Sequence, residues 1–557
     1  GFGRRAGCVH RRDDSAAGAR DIFIAGPGQT IFPLDRAGAV TLSASAPEAS
    51  VISLALSQIV SQSTAACLKS CWNMDPSLHL AFDMYRQLIA LSSGPGADVM
   101  QASSASLHFS MAMLPQGWAR DVRIGIEDGR IARIETGVAA SPADERHVAA
   151  VPGLPNVHSH AFQRAMAGLA ARRGSLAEAD SFWTWREVMY RFVSRLGPPE
   201  MRAIAALAYM EMLESGFTRV GEFHYLHHQV NGSPYDDPAE MAAAVAQAAD
   251  ETGIALTLLP VFYAHAGFGG QVPDASQQRF VNDTDGFHRL IQASEQAVRP
   301  LPDAIIGLAP HSLRACTPQE LAILVDAAPD GTPIHIHVAE QIREVEDCLS
   351  WSGSRPVEWL LDHVALSERW CLIHATHMTA AEAAGLARSG AVVGLCPITE
   401  ANLGDGLFPA DAFLGAGGRH AIGSDSNILI DAGEEMRLLE YGQRLHHRGR
   451  NRFPAQPDES MGGAIFRASL AGGAQALAVP AGLSEGNAAD IVSLNASHPS
   501  LVGRDGDGWL DGWIFAGRSD IIDCVWRRGR QVVTGGHHAA RDEIVTRYRT
   551  IVAALLA

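Results

Sequence analysis

The chain has 557 residues and no run of about 18 apolar ones, so no segment reads as a membrane-spanning helix. It also lacks a positive balance of charge. A formal net charge of −17 argues against nucleic acid as a partner, because that binding is driven by basic patches. A small anionic substrate stays open, since a pocket can be basic locally. Cysteine is sparse, with eight residues at irregular spacings. That suits a reducing cytosol better than a disulfide framework, and Cys67 and Cys71 have no second pair to complete a zinc knuckle. Sustained periodicity is missing from residues 1 to about 103, which open "GFGRRAGCVHRRDDSAAGARD". The early acidic residues of "RRDDS" speak against a transit peptide. Residues 1–103 are expected to be an N-terminal appendage of no visible function, partly disordered. An opening Gly1 in place of Met is expected to mark a processed or artificial start.

What the chain has is a globular composition, 47% hydrophobic and 19% charged, long enough for a large core or several domains. From about Leu107 the texture changes. "DVRIGIEDGRIARIETG" holds two alternating apolar runs around Asp128-Gly129, a hairpin signal. Near the other end, "ADIVSLN" and "IIDCVWRRGRQVVTGG" also read as short strands with turns. Between these flanks, eight apolar runs recur: "HVAAVPGLPNVH", "FTRVGEFH", "IALTLLPVFY", "AIIGLAPH", "TPIHIHVAE", "RWCLIHATH", "AVVGLCP" and "HAIGSDS". Segments with helical spacing, such as "PEMRAIAALAYMEMLESG" and "TPQELAILVDAA", lie between most of them. Alternating β and α points to a parallel sheet, and eight units to a (β/α)8 TIM barrel. The competing doubly wound sheet would usually carry a glycine-rich phosphate turn after its first strand, and "PNVHSH" is not one. The expected domains are a barrel over 151–479, a small β-sandwich built from the flanking segments 104–150 and 480–540, and a C-terminal helix over 541–557.

Nearly every strand candidate ends in a residue able to do chemistry: His158 and His160, His224, His311, His337, His374 and Asp425. Barrel active sites sit at the C-terminal ends of the strands, and buried polar groups without a task cost stability. A lone His-x-His pair arises often by chance, but His158 and His160 point the same way from a strand. In "HIHVAEQ" the later histidine lies nearer the mouth, which makes His337 the ligand and leaves His335 to packing. Three imidazoles and the Asp425 carboxylate are good ligands for Zn2+ or Fe2+. Glu340, three residues past His337, is placed to move protons between water and a leaving group. The plain alternative for Glu340 is an acid in the solvated first turn of a helix.

These residues carry a resemblance. "HSH" after the first strand, "HVAE" after the fifth, "HATH" after the sixth and "GSDS" after the eighth resemble the amidohydrolase superfamily, in its mononuclear deaminase branch. "PNVHSHAFQRAMAGLA", "SFWTWREVMY", "GFTRVGEFHYLHH", "GLAPHSLRA", "GLCPITEANLGDGLFP" and "GSDSNILIDAGEEMRLLEYGQR" resemble formimidoylglutamate deiminases, from about Leu107 to the end. The resemblance implies one zinc on His158, His160, His337 and Asp425, with Glu340, His374 and Asp425 as catalytic groups. It implies hydrolysis of N-formimidoyl-L-glutamate to N-formyl-L-glutamate and ammonia in histidine degradation, in a cytoplasmic homodimer.

A glutamate-derived substrate brings two carboxylates. Arg186 and Arg314 suit bidentate pairing with them, while Gln163, Tyr225 and His311 can supply neutral hydrogen bonds. For either arginine the plain alternative is a solvated side chain; Arg314 sits just past a strand end, and Arg186 rests more on the family pattern. Two rival readings are a deaminase of the same branch acting on a purine, pyrimidine or triazine ring, and a non-catalytic scaffold of the same fold. The first should prefer aromatic stacking to paired arginines. The second should have lost ligands, and none is lost.

Overall fold

A computed structural model of the protein describes residues 105–171, 182–455 and 457–557. The appendage expected over residues 1–103 lies outside the described residues. β1 (Ala105–Leu114), β2 (Gly117–Glu127) and β3 (Arg130–Glu135) form an antiparallel meander. Asp128 and Gly129 turn between the last two with φ of 51° and 78°, the backbone a type I′ turn demands at both positions. β4 (Glu145–Pro152) then lies parallel to β1.

The run "HVAAVPGLPNVH", expected as one strand, is two. β4 ends at Pro152, and β5 (Leu154–Ser159) starts a different sheet. Gly153 sits at the junction, where a Cβ would meet the Thr218 side chain at 2.2 Å. Only glycine lets the backbone pass so close. The later strands are β6 (Phe217–His224), β7 (Ala255–Phe262), β8 (Ile305–Ile306), β9 (Ala309–Pro310), β10 (Ile334–Val338), β11 (Trp370–His374), β12 (Val392–Leu395) and β13 (Arg419–Ile422). "AIIGLAPH" thus breaks into β8 and β9. At Gly307 between them, a Cβ would come within 2.4 Å of the Leu259 side chain.

These strands form two parallel sheets. One runs β5-β6-β7-β8, with β9 also on β7, and the other runs β10-β11-β12-β13. Single parallel bridges, Leu308 to Ile334 and Ser159 to Asp425, tie the first sheet to the second at both ends. Helices connect most strands, and β5, β6, β7, β10, β11 and β12 are buried along their whole length. Burial on both faces is what parallel strands covered by helices require. The helix Pro318–Ala327 starts where its sequence says: the Thr317 hydroxyl accepts the Glu320 N–H, and the Glu320 carboxylate accepts the Thr317 N–H at 2.7 Å.

The chain then returns to the sheet of β1–β4. β14 (Ile491–Leu494), β15 (Ile522–Arg527), β16 (Arg530–Thr534) and β17 (His537–His538) extend it to eight strands in the order β17-β16-β15-β14-β4-β1-β2-β3. Both flanks therefore build one sheet, with a core of its own around Leu107, Phe109, Ile124, Ile131, Ile491 and Trp526. A helix, Arg541–Leu556, closes the chain. Among the described residues no helix is long and apolar enough to cross a membrane.

Candidate active site and metal centre

The C-terminal ends of the parallel strands meet around a cavity of about 730 Å³. The backbone turns sharply there. Ala339, His374, Ala375, Asp425 and Asn427 all have positive φ, between 43° and 69°. Non-glycine residues hold that conformation at some cost, and here it swings side chains at strand ends towards one space.

The seam between β13 and β5 brings the first donors together. A Cβ on Gly423 would lie 2.9 Å from His158 Cβ and 3.0 Å from the His158 backbone, so this close pass also needs glycine. The Asn156 side chain donates to Ser424 Oγ (2.7 Å) and accepts the Ser424 N–H (3.1 Å), and Asn427 Nδ2 donates to Ser159 Oγ (3.1 Å). His158 and His160 thereby face Asp425, whose Oδ1 lies 3.5 Å and 3.4 Å from their Nε2 atoms. His337 Nε2 is 3.1 Å from His158 Nε2. His335, two residues deeper on β10, instead meets the Ala476 carbonyl at 2.8 Å.

The chemistry of this donor set fits a divalent ion. His160 Nδ1 donates to the Phe223 carbonyl (2.9 Å) and His337 Nδ1 to the His311 carbonyl (3.0 Å), which leaves the Nε2 lone pairs facing inward. Burial keeps the rings neutral: it pulls His160 down to about 3, helped by His158, and lowers His158 and His337 as well. Neutral imidazoles are metal ligands. Burial alone would raise Asp425, but the His158 hydrogen bond and the nearby histidines outweigh it and hold the carboxyl below the usual range. Donors about 2.0–2.1 Å from one ion in a tetrahedron lie roughly 3.3 Å apart, close to the separations here.

Glu340 and His374 stand beside this cluster. His374 Nε2 lies 3.8 Å from Glu340 Oε1 and 3.8 Å from Asp425 Oδ2. Burial pushes the Glu340 carboxyl up, with Asp425 and Glu344 adding to it against His374 and Arg314. For His374 burial works against the charged form, yet Glu340, Glu400 and Asp425 outweigh it and lift the imidazole to about 10. Glu400, 3.3 Å from His374 Nδ1, was not foreseen. In sequence it reads as one more acid in the first turn of a helix, Pro397–Leu403, and its aim is visible only in three dimensions.

All the expected substrate-binding residues line this same cavity: Gln163, Arg186, Tyr225, His311 and Arg314. Gln163 Nε2 donates to the Tyr225 hydroxyl at 3.0 Å. Arg314 Nε is buried without a hydrogen-bond partner among the described residues, a cost unless a ligand meets it. Of the strand-end residues, His158 is buried behind the cavity wall against the other donors, and His224 belongs to neither group. It packs against His227, with ring centroids 5.2 Å apart, and lies outside the cavity wall. The cavity also takes in Tyr190, Tyr263 and Arg343, which no local pattern distinguished.

Residues 149–532 match the model of the amidohydrolase family, and residues 105–148 match that of the formimidoylglutamate deiminase HutF N-terminal domain. The chain is 49% identical over 447 residues to formimidoylglutamate deiminase of Pseudomonas aeruginosa, covering 80% of this chain and 98% of that one. A solved amidohydrolase from Brucella melitensis superposes with a TM-score of 0.79 at 52% identity, over 81% of this chain and all of that one. A solved adenosine deaminase from Xanthomonas campestris with bound zinc gives a TM-score of 0.67 at 20% identity, over 81% and 98%; at that identity the likeness concerns the fold.

Proposed function

This chain belongs to the amidohydrolase family, and we propose that it is a metal-dependent formimidoylglutamate deiminase acting in histidine degradation. It hydrolyses the C–N bond of a linear amidine: N-formimidoyl-L-glutamate and water give N-formyl-L-glutamate and ammonia. One observation carries the reading beyond kinship. One cavity is lined by His160, His337 and Asp425, which cluster with the buried His158, and also by Arg186 and Arg314.

His158, His160, His337 and Asp425 hold the metal, Zn2+ with Fe2+ as the alternative. When bound, the ion supplies Lewis acidity that makes water a nucleophile near neutral pH. Glu340 takes a proton from the attacking water and passes it to the departing nitrogen, a role that a raised carboxyl value suits. His374, kept charged by its carboxylate neighbours, donates a hydrogen bond to the oxygen that enters the formimidoyl carbon. Glu400 orients that imidazole through Nδ1. Asp425 serves as a second proton acceptor. Arg186 and Arg314 pair with the two carboxylates of the glutamate moiety, and Gln163, Tyr225 and His311 add neutral hydrogen bonds. Charge-assisted pairs of this kind favour a small diacid over a flat ring.

The same proposal extends to architecture. The two parallel sheets, bridged at both ends, close into a (β/α)8 barrel. The flanking eight-stranded sheet, with a buried cluster of its own, folds over as a small β-sandwich in this reading.

The test is ammonia release from N-formimidoyl-L-glutamate by zinc-loaded enzyme, set beside guanine, cytosine and a triazine. Turnover of a ring and none of the amidine would overturn the reading in favour of another deaminase. No turnover of any, with metal bound, would leave a scaffold.

A further inference from the structure

Arg186 reaches the cavity from the helix Phe182–Val193. Its Nε donates to the Tyr190 hydroxyl, one turn on, at 2.5 Å, and its guanidinium stands 5.0 Å from that ring's centroid. Its Nη2 donates to the Tyr263 hydroxyl at 3.4 Å. Tyr263 follows directly on β7 and is fixed there, its carbonyl accepting the Asn282 N–H at 2.9 Å.

A third donor reaches the same oxygen. Gln277 Nε2 lies 2.5 Å from the Tyr263 hydroxyl. The orientation of this amide is settled by its other end, since Gln277 Oε1 accepts the Asp274 N–H at 3.0 Å. The NH2 group must therefore face Tyr263. A phenol oxygen offers two acceptor positions and one proton. Gln277 and Arg186 fill the two acceptor positions, so neither hydrogen bond uses the Tyr263 proton. Tyr263 is 6% exposed and forms part of the cavity wall, its ring 4.8 Å from that of His311. Among the described residues no acceptor meets this O–H, and a buried O–H without one is costly. The Tyr263 proton, used by neither of these bonds, stands in the cavity wall and calls for a ligand atom that accepts, and a carboxylate meets that need.

We infer that Tyr263 is a substrate-binding residue whose O–H donates to the carboxylate that Arg186 meets, with Gln277 fixing the direction of that proton. The inference rests on the reading above, in which Arg186 pairs with a substrate carboxylate. It adds a specificity element that charge alone lacks, because the tyrosine proton fixes the angle at which the diacid enters.

The experiment is a kinetic cycle on the full-length metal-loaded enzyme with Tyr263→Phe, Arg186→Met and the double variant. The substrates are N-formimidoyl-L-glutamate and its two mono-amides, each lacking one carboxylate. Phenylalanine keeps the ring and its packing, and an unchanged melting temperature checks this. Tyr263→Phe should lower kcat/KM for the diacid about ten-fold or more, mainly through KM, as expected for a hydrogen bond to a charged group. The loss should shrink for the mono-amide that lacks the carboxylate in question, and should vanish in the Arg186→Met background. A large effect of Arg186→Met with none of Tyr263→Phe overturns the inference and leaves the arginine's role standing. Equal losses on all three substrates make Tyr263 structural and also overturn it. No effect of either single variant rejects the reading of Arg186 itself, and the inference with it.

Discussion

His335 and His337 lie on one face of the same strand, yet one meets a helix carbonyl and the other a cluster of ring nitrogens. Height along the strand separates them, roughly 6.6 Å for two residues. Glu340 follows the same logic. Its carboxylate is buried where an acid in a first helical turn would be solvated, and it lies beside the His374 imidazole rather than among the inward-facing ring nitrogens. Glu340→Gln keeps size and shape but removes a carboxylate able to carry a proton, the role proposed for it. It should leave metal content unchanged while kcat falls by about 10²–10⁴-fold. Metal analysis and ammonia release check this together: loss of metal would make Glu340 a ligand, and normal turnover would return it to a helix-start role.

At the scale of elements, the site depends on how closely β13 passes β5. Gly423 leaves no room for a methyl group against His158, and both His158 and Asp425 sit on this seam. Gly423→Ala should weaken metal binding and turnover together, because it displaces the ligand pair instead of removing a ligand. Isothermal titration with Zn2+ would read this out, and affinity like that of the parent would mean the seam yields without moving the donors. The flanking sheet has its own clasp. Asp144 accepts from the Ser106 hydroxyl at 2.6 Å, from the Ser141 N–H at 2.6 Å and from Arg123 Nε at 3.1 Å. The Ser106 bond comes first among the causes that overcome burial and lower the Asp144 carboxyl from 3.8 to about 2. A depressed carboxylate stabilises the fold fully above its ordinary value, and that contribution fades as the pH falls towards the folded value. The stability difference between the parent and Asp144→Asn should therefore be constant above about pH 4 and shrink between about pH 4 and 2. Denaturant unfolding across that range is the measurement. A difference that grows on acidification would contradict the assignment.

At the scale of the molecule, an ion network joins the flanking sheet to the base of the parallel sheets. Arg527 on β15 pairs with Asp303 at 2.8 Å and with Asp490, and Arg219 on β6 reaches the same Asp303 at 3.1 Å. Removing one member of a buried network strands the others, at a cost of about 3–5 kcal/mol. Arg527→Met should lose about that much in equilibrium unfolding; less than about 1 kcal/mol would show that the two parts are held by apolar packing alone. The family models match from residue 105 onwards, and the Brucella melitensis structure is covered completely by 81% of this chain. A chain starting at Ser104 should therefore fold and keep its kcat. Insoluble or inactive protein would assign the first hundred residues a structural task.

The amino-acid sequence by itself determined the alternation of strands and helices, the Asp-Gly hairpin, the chemistry-bearing residues at strand ends and the family. Each of these is written in local patterns: a period of two or 3.6 residues, a turn dipeptide, or a short motif. Tertiary structure alone decided the rest. Gly153 and Gly307 divide single apolar runs between strands, because the obstacles they avoid, Thr218, Leu259 and Pro333, come from other segments. Both flanks join one sheet through the pairing of β4 with β14, more than 300 residues apart. His224 turned out of the cavity although it ends a strand as His374 does. Glu400 found His374, 26 residues away, and Tyr263 found Arg186, 77 residues away. Such contacts depend on register and on how the sheets close. Periodicity says which face a side chain takes, and only closure of the sheets says what stands opposite it.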